Sequence, residues 1–266
     1  MTLHDNFQKM VEAPKIIAKS IKTSEKIIVA LDVETAAEAR ETIEELRGEV
    51  GAFKIGLQLF TSGGASFVQE TIASGSKVFL DLKFHDIPNT VAGASIEAAR
   101  LGVWMFNLHA SGGGEMMRKT IEEVREFCER NNTIQPKIIG VTVLTSAERE
   151  TLREIGIEKE IAEQVLSLAW LSAKCGLDGV VASPREVALI RENINKKDFL
   201  IVTPGIRSSK PETENQFGTK DDQKRVMTAK ETVSLGSDYL VIGRPILQAK
   251  DKILAVREIV KQIETS

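Results

Sequence analysis

Eight short apolar runs recur along this chain, and their alternation with helical spacing is the strongest constraint on its fold. The runs are residues 26–32, 52–56, 77–83, 103–109, 137–144, 178–183, 199–204 and 238–243. Between them the apolar residues change period. Ala36, Ala39, Ile43 and Leu46 form one helical stripe, and Ile161, Val165, Leu168 and Ala169 form another. Strand runs alternating with helical segments specify βαβ units, which pair their strands in parallel. Eight such units predict an α/β fold, a single (β/α)8 TIM barrel, with a doubly wound open sheet as the alternative. The length of 266 residues suits a one-domain barrel of roughly 250 residues and a large core without staples.

Two segments fall outside this rhythm. Residues 1–25 carry Phe7, Met10, Val11, Ile16, Ile17 and Ile21. They predict an N-terminal helical extension over the barrel bottom, with residues 26–266 as the catalytic barrel. Residues 206–224 are polar and follow the seventh run. A polar loop of this length at that place predicts an active-site lid.

Composition excludes several function classes. With 35 basic against 38 acidic side chains and a formal net charge of −3, there is no electrostatic footprint for nucleic acid. No apolar stretch approaches the ~18 residues of a membrane span, and no apolar block marks a secretory leader. Two cysteines, Cys128 and Cys175, are too few for a disulfide framework and predict a cytoplasmic protein. Three histidines show no metal-ligand spacing, so no metal is expected.

Charged residues sit where apolar ones belong. Strand side chains alternate faces, so Asp81 and Lys83 share a face with Phe79, while Val78, Leu80 and Leu82 point toward the helices. Asp32 ends the first run on the face of Ile28 and Ala30. Lys54 lies in the second on the face of Ala52 and Gly56, whose small size leaves room for a ligand. Interior barrel positions ordinarily hold Val, Ile or Leu, and barrel enzymes keep their chemistry at the C-terminal strand ends. Buried charges are costly unless paired, and an alternating Asp32, Lys54, Asp81, Lys83 array meets that demand. Asp86 follows beyond the strand, before Pro88.

A second cluster gathers late. Thr203-Pro204-Gly205-Ile206-Arg207 closes the seventh strand, Asp222-Gln223-Lys224 ends the polar loop, and Val241-Ile242-Gly243-Arg244-Pro245 closes the eighth. Barrels often bind phosphate with these loops. Gly243 lets the backbone approach an anion, Arg207 and Arg244 offer forked charged donors, and Gln223 adds an amide. Other features are weaker. The run Ser111-Gly112-Gly113-Gly114 lacks phosphate-loop spacing and suits a turn before a helix. His109 ends the fourth strand, and His85 suits the surface. Thr142, Thr145 and Ser146 close the fifth strand, either reading a ligand's amide edge or satisfying the strand end.

Taken together these motifs resemble the orotidine 5'-phosphate decarboxylases of pyrimidine nucleotide synthesis. The run from Asp81 through Leu82, Lys83 and Asp86 to Ile87-Pro88-Asn89-Thr90 is similar to that family's Asp-x-Lys-x-x-Asp signature. Ala30-Leu31-Asp32, Phe53-Lys54-Ile55-Gly56, Leu144-Thr145-Ser146, Asp222-Gln223 and Ile242-Gly243-Arg244 match in order, from about Lys26 to Pro245. The N-terminal extension and the loop from Arg207 to Gln223 are longer than in compact members, which leaves Gln216 as the alternative to Gln223.

The resemblance implies cofactor-free decarboxylation of orotidine 5'-phosphate to UMP and CO2. It casts Lys83 as proton donor to C6, with Asp81, Asp86 and Lys54 completing the catalytic set. It places Asp32 and Lys54 on the ribose, and Thr145 and Ser146 on the pyrimidine. Arg207, Gln223, Gly243 and Arg244 fall to the phosphate, with the Ile87–Thr90 segment also at the site. It implies a homodimer in which Asp86 and Thr90 reach the partner's site. Two other readings stand beside it. One is a magnesium-dependent sugar-phosphate decarboxylase or aldolase of the same barrel group; the other is a non-catalytic nucleotide-binding barrel.

Overall fold

The computed structural model describes residues 22–207 and 226–265. The predicted extension before residue 22, and the predicted lid beyond Arg207, lie outside the described residues. In chain order the strands are β1 (Ile27–Ala30), β2 (Ala52–Gly56), β3 (Val78–Phe84), β4 (Met105–His109), β5 (Lys137–Val141), β6 (Gly179–Val181), β7 (Leu200–Thr203), β8 (Ile206–Arg207), β9 (Met227–Thr228) and β10 (Tyr239–Ile242). Eight of them close a parallel barrel in the order β1-β10-β7-β6-β5-β4-β3-β2. Every predicted run contributes one barrel strand. β8 and β9 pair with each other in a small parallel sheet, which the sequence reading did not foresee.

Helices fill the crossovers: α1 (Ala36–Leu46), α2 (Leu57–Ala73), α3 (Pro88–Arg100), α4 (Gly113–Asn131), α5 (Arg149–Glu154), α6 (Ile161–Cys175), α7 (Val187–Asn193), α8 (Ala229–Ser234), α9 (Arg244–Leu247) and α10 (Lys252–Glu264). Their ends follow from local chemistry. The Thr35 side chain accepts from the Glu38 amide at 3.2 Å, and Asp251 accepts from the Leu254 amide at 2.8 Å, both satisfying first-turn N–H groups. α6 stops at Gly176, whose φ of +96° suits a left-handed cap. None of the described helices is long and apolar enough to cross a membrane.

Strand alternation divides the core in two. Ile28, Ala30, Phe79, Met105, Ile139 and Val202 point inward and fill the barrel floor. Ile27, Val29, Val78, Leu80, Phe106 and Ile138 point outward and bury the helices' apolar faces. Gly179 marks where two backbones close on each other. A Cβ there would stand 2.2 Å from the Leu200 carbonyl oxygen, so a side chain would pry β6 from β7. Strand ends are shorter than the runs. β5 stops at Val141, three residues before the expected end at residue 144, where its pairing with β6 ends at Val181. There the Thr142 hydroxyl donates to the Val181 carbonyl at 2.8 Å. Thr142 therefore satisfies a strand end, the second of the two roles open to it.

Candidate active site

Three neighbouring strands supply the four charges at the barrel mouth. Asp32 follows β1, Lys54 lies in β2, and Asp81 and Lys83 lie in β3. Lys54 Nζ stands 3.1 Å from Asp32 Oδ1 and 3.3 Å from Asp81 Oδ2, and Lys83 Nζ stands 2.7 Å from Asp81 Oδ1. The expected alternating array is thus a continuous chain of ion pairs. Its centre is buried and its ends are open. The side chains of Lys54 and Asp81 are 10% and 12% exposed, against 29% for Lys83 and 65% for Asp32. Gly56 makes room for the hub, since a Cβ there would come within 3.0 Å of Lys54 Nζ.

Electrostatics keep the centre ionised. Burial alone would push the Asp81 carboxyl up. The charges of Lys54 and Lys83, with hydrogen bonds from Lys83 and Asn107, outweigh it and hold Asp81 below the usual carboxylate range. Burial likewise pulls Lys54 down, but the charges of Asp81 and Asp32 outweigh it and hold the ammonium above the usual lysine value. His109 is held below the usual imidazole value by burial first, then by the nearby charges of His85 and Lys83. Its ring lies 5.3 Å from that of His85.

β3 is not a regular strand here. Its pairing with β4 passes from Leu80↔Phe106 to Phe84↔Leu108, so four residues of β3 span two of β4. Lys83 has a φ of +52°, a left-handed conformation costing a non-glycine residue about 1–3 kcal/mol and typical of functional sites. Asn107, on β4 and 1% exposed, braces this bulge. Its Oδ1 accepts the Lys83 backbone N–H at 2.8 Å, and its Nδ2 donates to Asp81 Oδ1 at 2.7 Å. Sequence reasoning passed over Asn107. The available clue was a polar residue in the apolar run Met105-Phe106-Asn107-Leu108, on the inward face of Met105.

A cavity of about 660 Å³ opens over this array. Nine of the expected site residues line it: Asp32, Lys54, Asp81, Lys83, Thr145, Ser146, Arg207, Gly243 and Arg244. Arg207 comes from β8 in the turn after β7, and Gly243 and Arg244 from the turn after β10, the eighth barrel strand. Gln248, at the end of α9, also lines the cavity and was not anticipated. Asp86, Ile87, Asn89 and Thr90 lie apart from the cavity lining on an exposed flank, with Pro88 half-buried among them. Ile87 is 66% exposed, and the Asp86 carboxylate accepts the Ile87 amide at 2.6 Å. Gln223 and Gln216 fall outside the described residues. Ser111 and Gly112 form a short 3-10 turn leading into α4, with Gly113 at a φ of +91°.

A closed parallel barrel with its charges at the C-terminal strand ends, and arginines in the turns after its seventh and eighth strands, is the architecture of an enzyme for small phosphorylated ligands. The chain belongs to the orotidine 5'-phosphate decarboxylase / HUMPS family, whose model matches residues 25–259. It is 51% identical over 243 residues to the orotidine 5'-phosphate decarboxylase of Syntrophotalea carbinolica, covering 91% of this chain and 96% of that one. It is 52% identical over 240 residues to that of Geobacter metallireducens, covering 90% and 96%. Among solved structures, orotidine 5'-phosphate decarboxylase from Lactobacillus acidophilus superposes with a TM-score of 0.77 at 36% identity, covering 89% of this chain and 98% of that one.

Proposed function

We propose that this chain decarboxylates orotidine 5'-phosphate to UMP and CO2, as a carboxy-lyase of pyrimidine biosynthesis that needs no cofactor. The observation that carries the reading is the Lys83 ammonium, 2.7 Å from a buried, ionised Asp81, in a cavity that also takes Arg207 and Arg244. The relatives of 51% and 52% identity, both orotidine 5'-phosphate decarboxylases, point to the same substrate.

The chemistry follows from the charges. The bond from C6 to its carboxylate breaks heterolytically, CO2 departs, and the electron pair stays on C6. A cation already in place stabilises that charge without reorganisation, and Lys83 then gives a proton to C6, leaving UMP and a neutral amine that solvent reprotonates. Asp81 orients Lys83 and faces the leaving carboxylate. Lys54 extends the charge chain and, with Asp32, takes the ribose hydroxyls. Thr145 and Ser146 take the pyrimidine edge. Arg207, Gly243 and Arg244 take the phosphate, with Gln223 from the 206–224 loop as that loop's contact. Phosphate binding remote from C6 raises the rate by driving closure and excluding water.

The exposed Asp86-to-Thr90 flank supports a homodimer in which Asp86 and Thr90 complete the partner's site. Two buried free cysteines, Cys128 and Cys175, accord with a cytoplasmic enzyme. The same reading takes residues 26–266 as the catalytic barrel and 1–25 as an extension of it. The magnesium-dependent alternative needs an acidic group on the second strand. Lys54 stands there instead, and its ammonium repels a cation.

Absorbance loss on mixing the protein with orotidine 5'-phosphate tests the reading, with EDTA expected to leave the rate unchanged. Lys83→Ala should lower kcat more than about 100-fold while UMP binding changes less than about threefold. No turnover by the native chain, or a variant retaining more than about a hundredth of its rate, would overturn the assignment.

A further inference from the structure

Asn107 closes a ring of three hydrogen bonds at the site. Its amide donates to Asp81 Oδ1 at 2.7 Å and accepts the Lys83 backbone N–H at 2.8 Å, while Lys83 Nζ returns to the same Asp81 oxygen at 2.7 Å. The two contacts fix the amide's orientation, because a flipped amide would set oxygen against carboxylate and N–H against N–H. They also reach the two features that define where the Lys83 ammonium sits. One is the left-handed backbone of Lys83, at a φ of +52°. The other is the rotation of the Asp81 carboxylate, whose second oxygen faces Lys54 at 3.3 Å. In the bulge between Leu80 and Phe84, the Lys83 N–H finds its acceptor on this side chain rather than on a strand carbonyl.

We infer that Asn107 is a positioning residue of the reaction: through one side chain it locks both the strained Lys83 backbone and the Asp81 carboxylate, and so fixes the line along which the ammonium meets C6. The inference rests on the decarboxylase reading. Asn107 is absent from the cavity lining and acts on substrate through Lys83 and Asp81 alone. Its removal therefore falls on the chemical step. A displacement of about 1 Å in a reacting group costs about 100-fold in rate, whereas the phosphate and ribose contacts that set binding stay in place.

Steady-state kcat and KM with orotidine 5'-phosphate, UMP affinity by calorimetry and thermal stability test this on the native chain and Asn107→Ala. Asn107→Ala should lose about 10- to 100-fold in kcat, with KM and UMP affinity within about threefold. A folded variant with kcat within about threefold of native, or one whose loss lies in KM, overturns the inference. If Asn107→Ala fails to fold, Asn107→Asp carries the test under the same criteria. It keeps the shape and the acceptor for Lys83 but replaces the donor to Asp81 by a like charge. A native chain without turnover removes the decarboxylase reading and this inference with it. Native turnover beside an unaffected variant removes the inference alone.

Discussion

Removing Lys54 asks whether the charged mouth is one coupled unit. Lys54 Nζ and Asp81 Oδ2 are 3.3 Å apart, with both side chains nearly buried. At an effective dielectric of about 20 that separation corresponds to about 5 kcal/mol of gross attraction, opposed by the desolvation both groups suffer. Lys54→Met leaves Asp81 buried with Lys83 as its remaining cation. Breaking a buried pair from one side costs about 3–5 kcal/mol, a large share of the ~5–15 kcal/mol that stabilises a domain. At about 2–4 °C per kcal/mol for a chain of this size, the melting temperature should fall by about 6–20 °C. Asp81→Asn errs the other way, leaving two ammonium groups with Asp32. The double variant leaves Lys83 with Asp32 and is again neutral. Its loss should fall short of the summed single losses by about 1–3 kcal/mol. Urea unfolding of all four proteins at pH 7 and one protein concentration measures this, with matching slopes as the check on comparability. Losses that add within about 0.5 kcal/mol would refute the coupling, as would a stable Lys54→Met.

Three further outcomes are expected. His109 binds its proton less readily folded than unfolded, so stability should decline as pH drops below about 6.5 toward the folded value. His109→Gln should flatten that slope in urea midpoints taken across about pH 5 to 8, and an unchanged slope contradicts it. Orotidine without its phosphate should lose several orders of magnitude in kcat/KM; equal turnover of the two would sink the role given to Arg207 and Arg244. Lys83→Ala and Asp86→Ala, each inactive alone, should regain about a quarter of native activity on subunit mixing, since half the dimers are mixed and each holds one intact site. Persistent inactivity after exchange would refute the shared site.

Much of this was legible in residue order. Period two put Asp81 and Lys83 on one face, and eight alternations closed the barrel. The Gly-Arg and Gly-Ile-Arg turns, at Gly243-Arg244 and Gly205-Ile206-Arg207, drew attention because they followed the last two barrel strands, and both line the cavity. What escaped depends on register between distant strands. The bulge at Lys83 exists only relative to β4, and Asn107 gains meaning only once it stands beside Asp81. The pairing of β8 with β9 joins two-residue strands across a polar loop, too short to leave a period. Thr142 could not be assigned from sequence because its partner, the Val181 carbonyl, lies 39 residues away.

Register also explains why the charges alternate rather than collide. Lys54 pairs level with Ala30 on one side and Phe79 on the other, while Gly56 pairs level with Asp81. Lys54 thus starts one inward-facing layer below Asp81, and below Asp32, which lies two residues past Ala30. Its long side chain climbs to meet both carboxylates, and at their level its own strand offers Gly56, with nothing to obstruct the ammonium. Lys83, two residues beyond Asp81, reaches the same carboxylate from above. One buried anion is therefore held between a cation from the layer below and a cation from the layer above, which leaves the upper one facing the ligand cavity. An acidic residue in place of Lys54 would put three carboxylates together, a cluster that must take up a proton or a cation to persist. The sign of a single side chain on β2 thereby separates a site that works with its own charges from one that must borrow them.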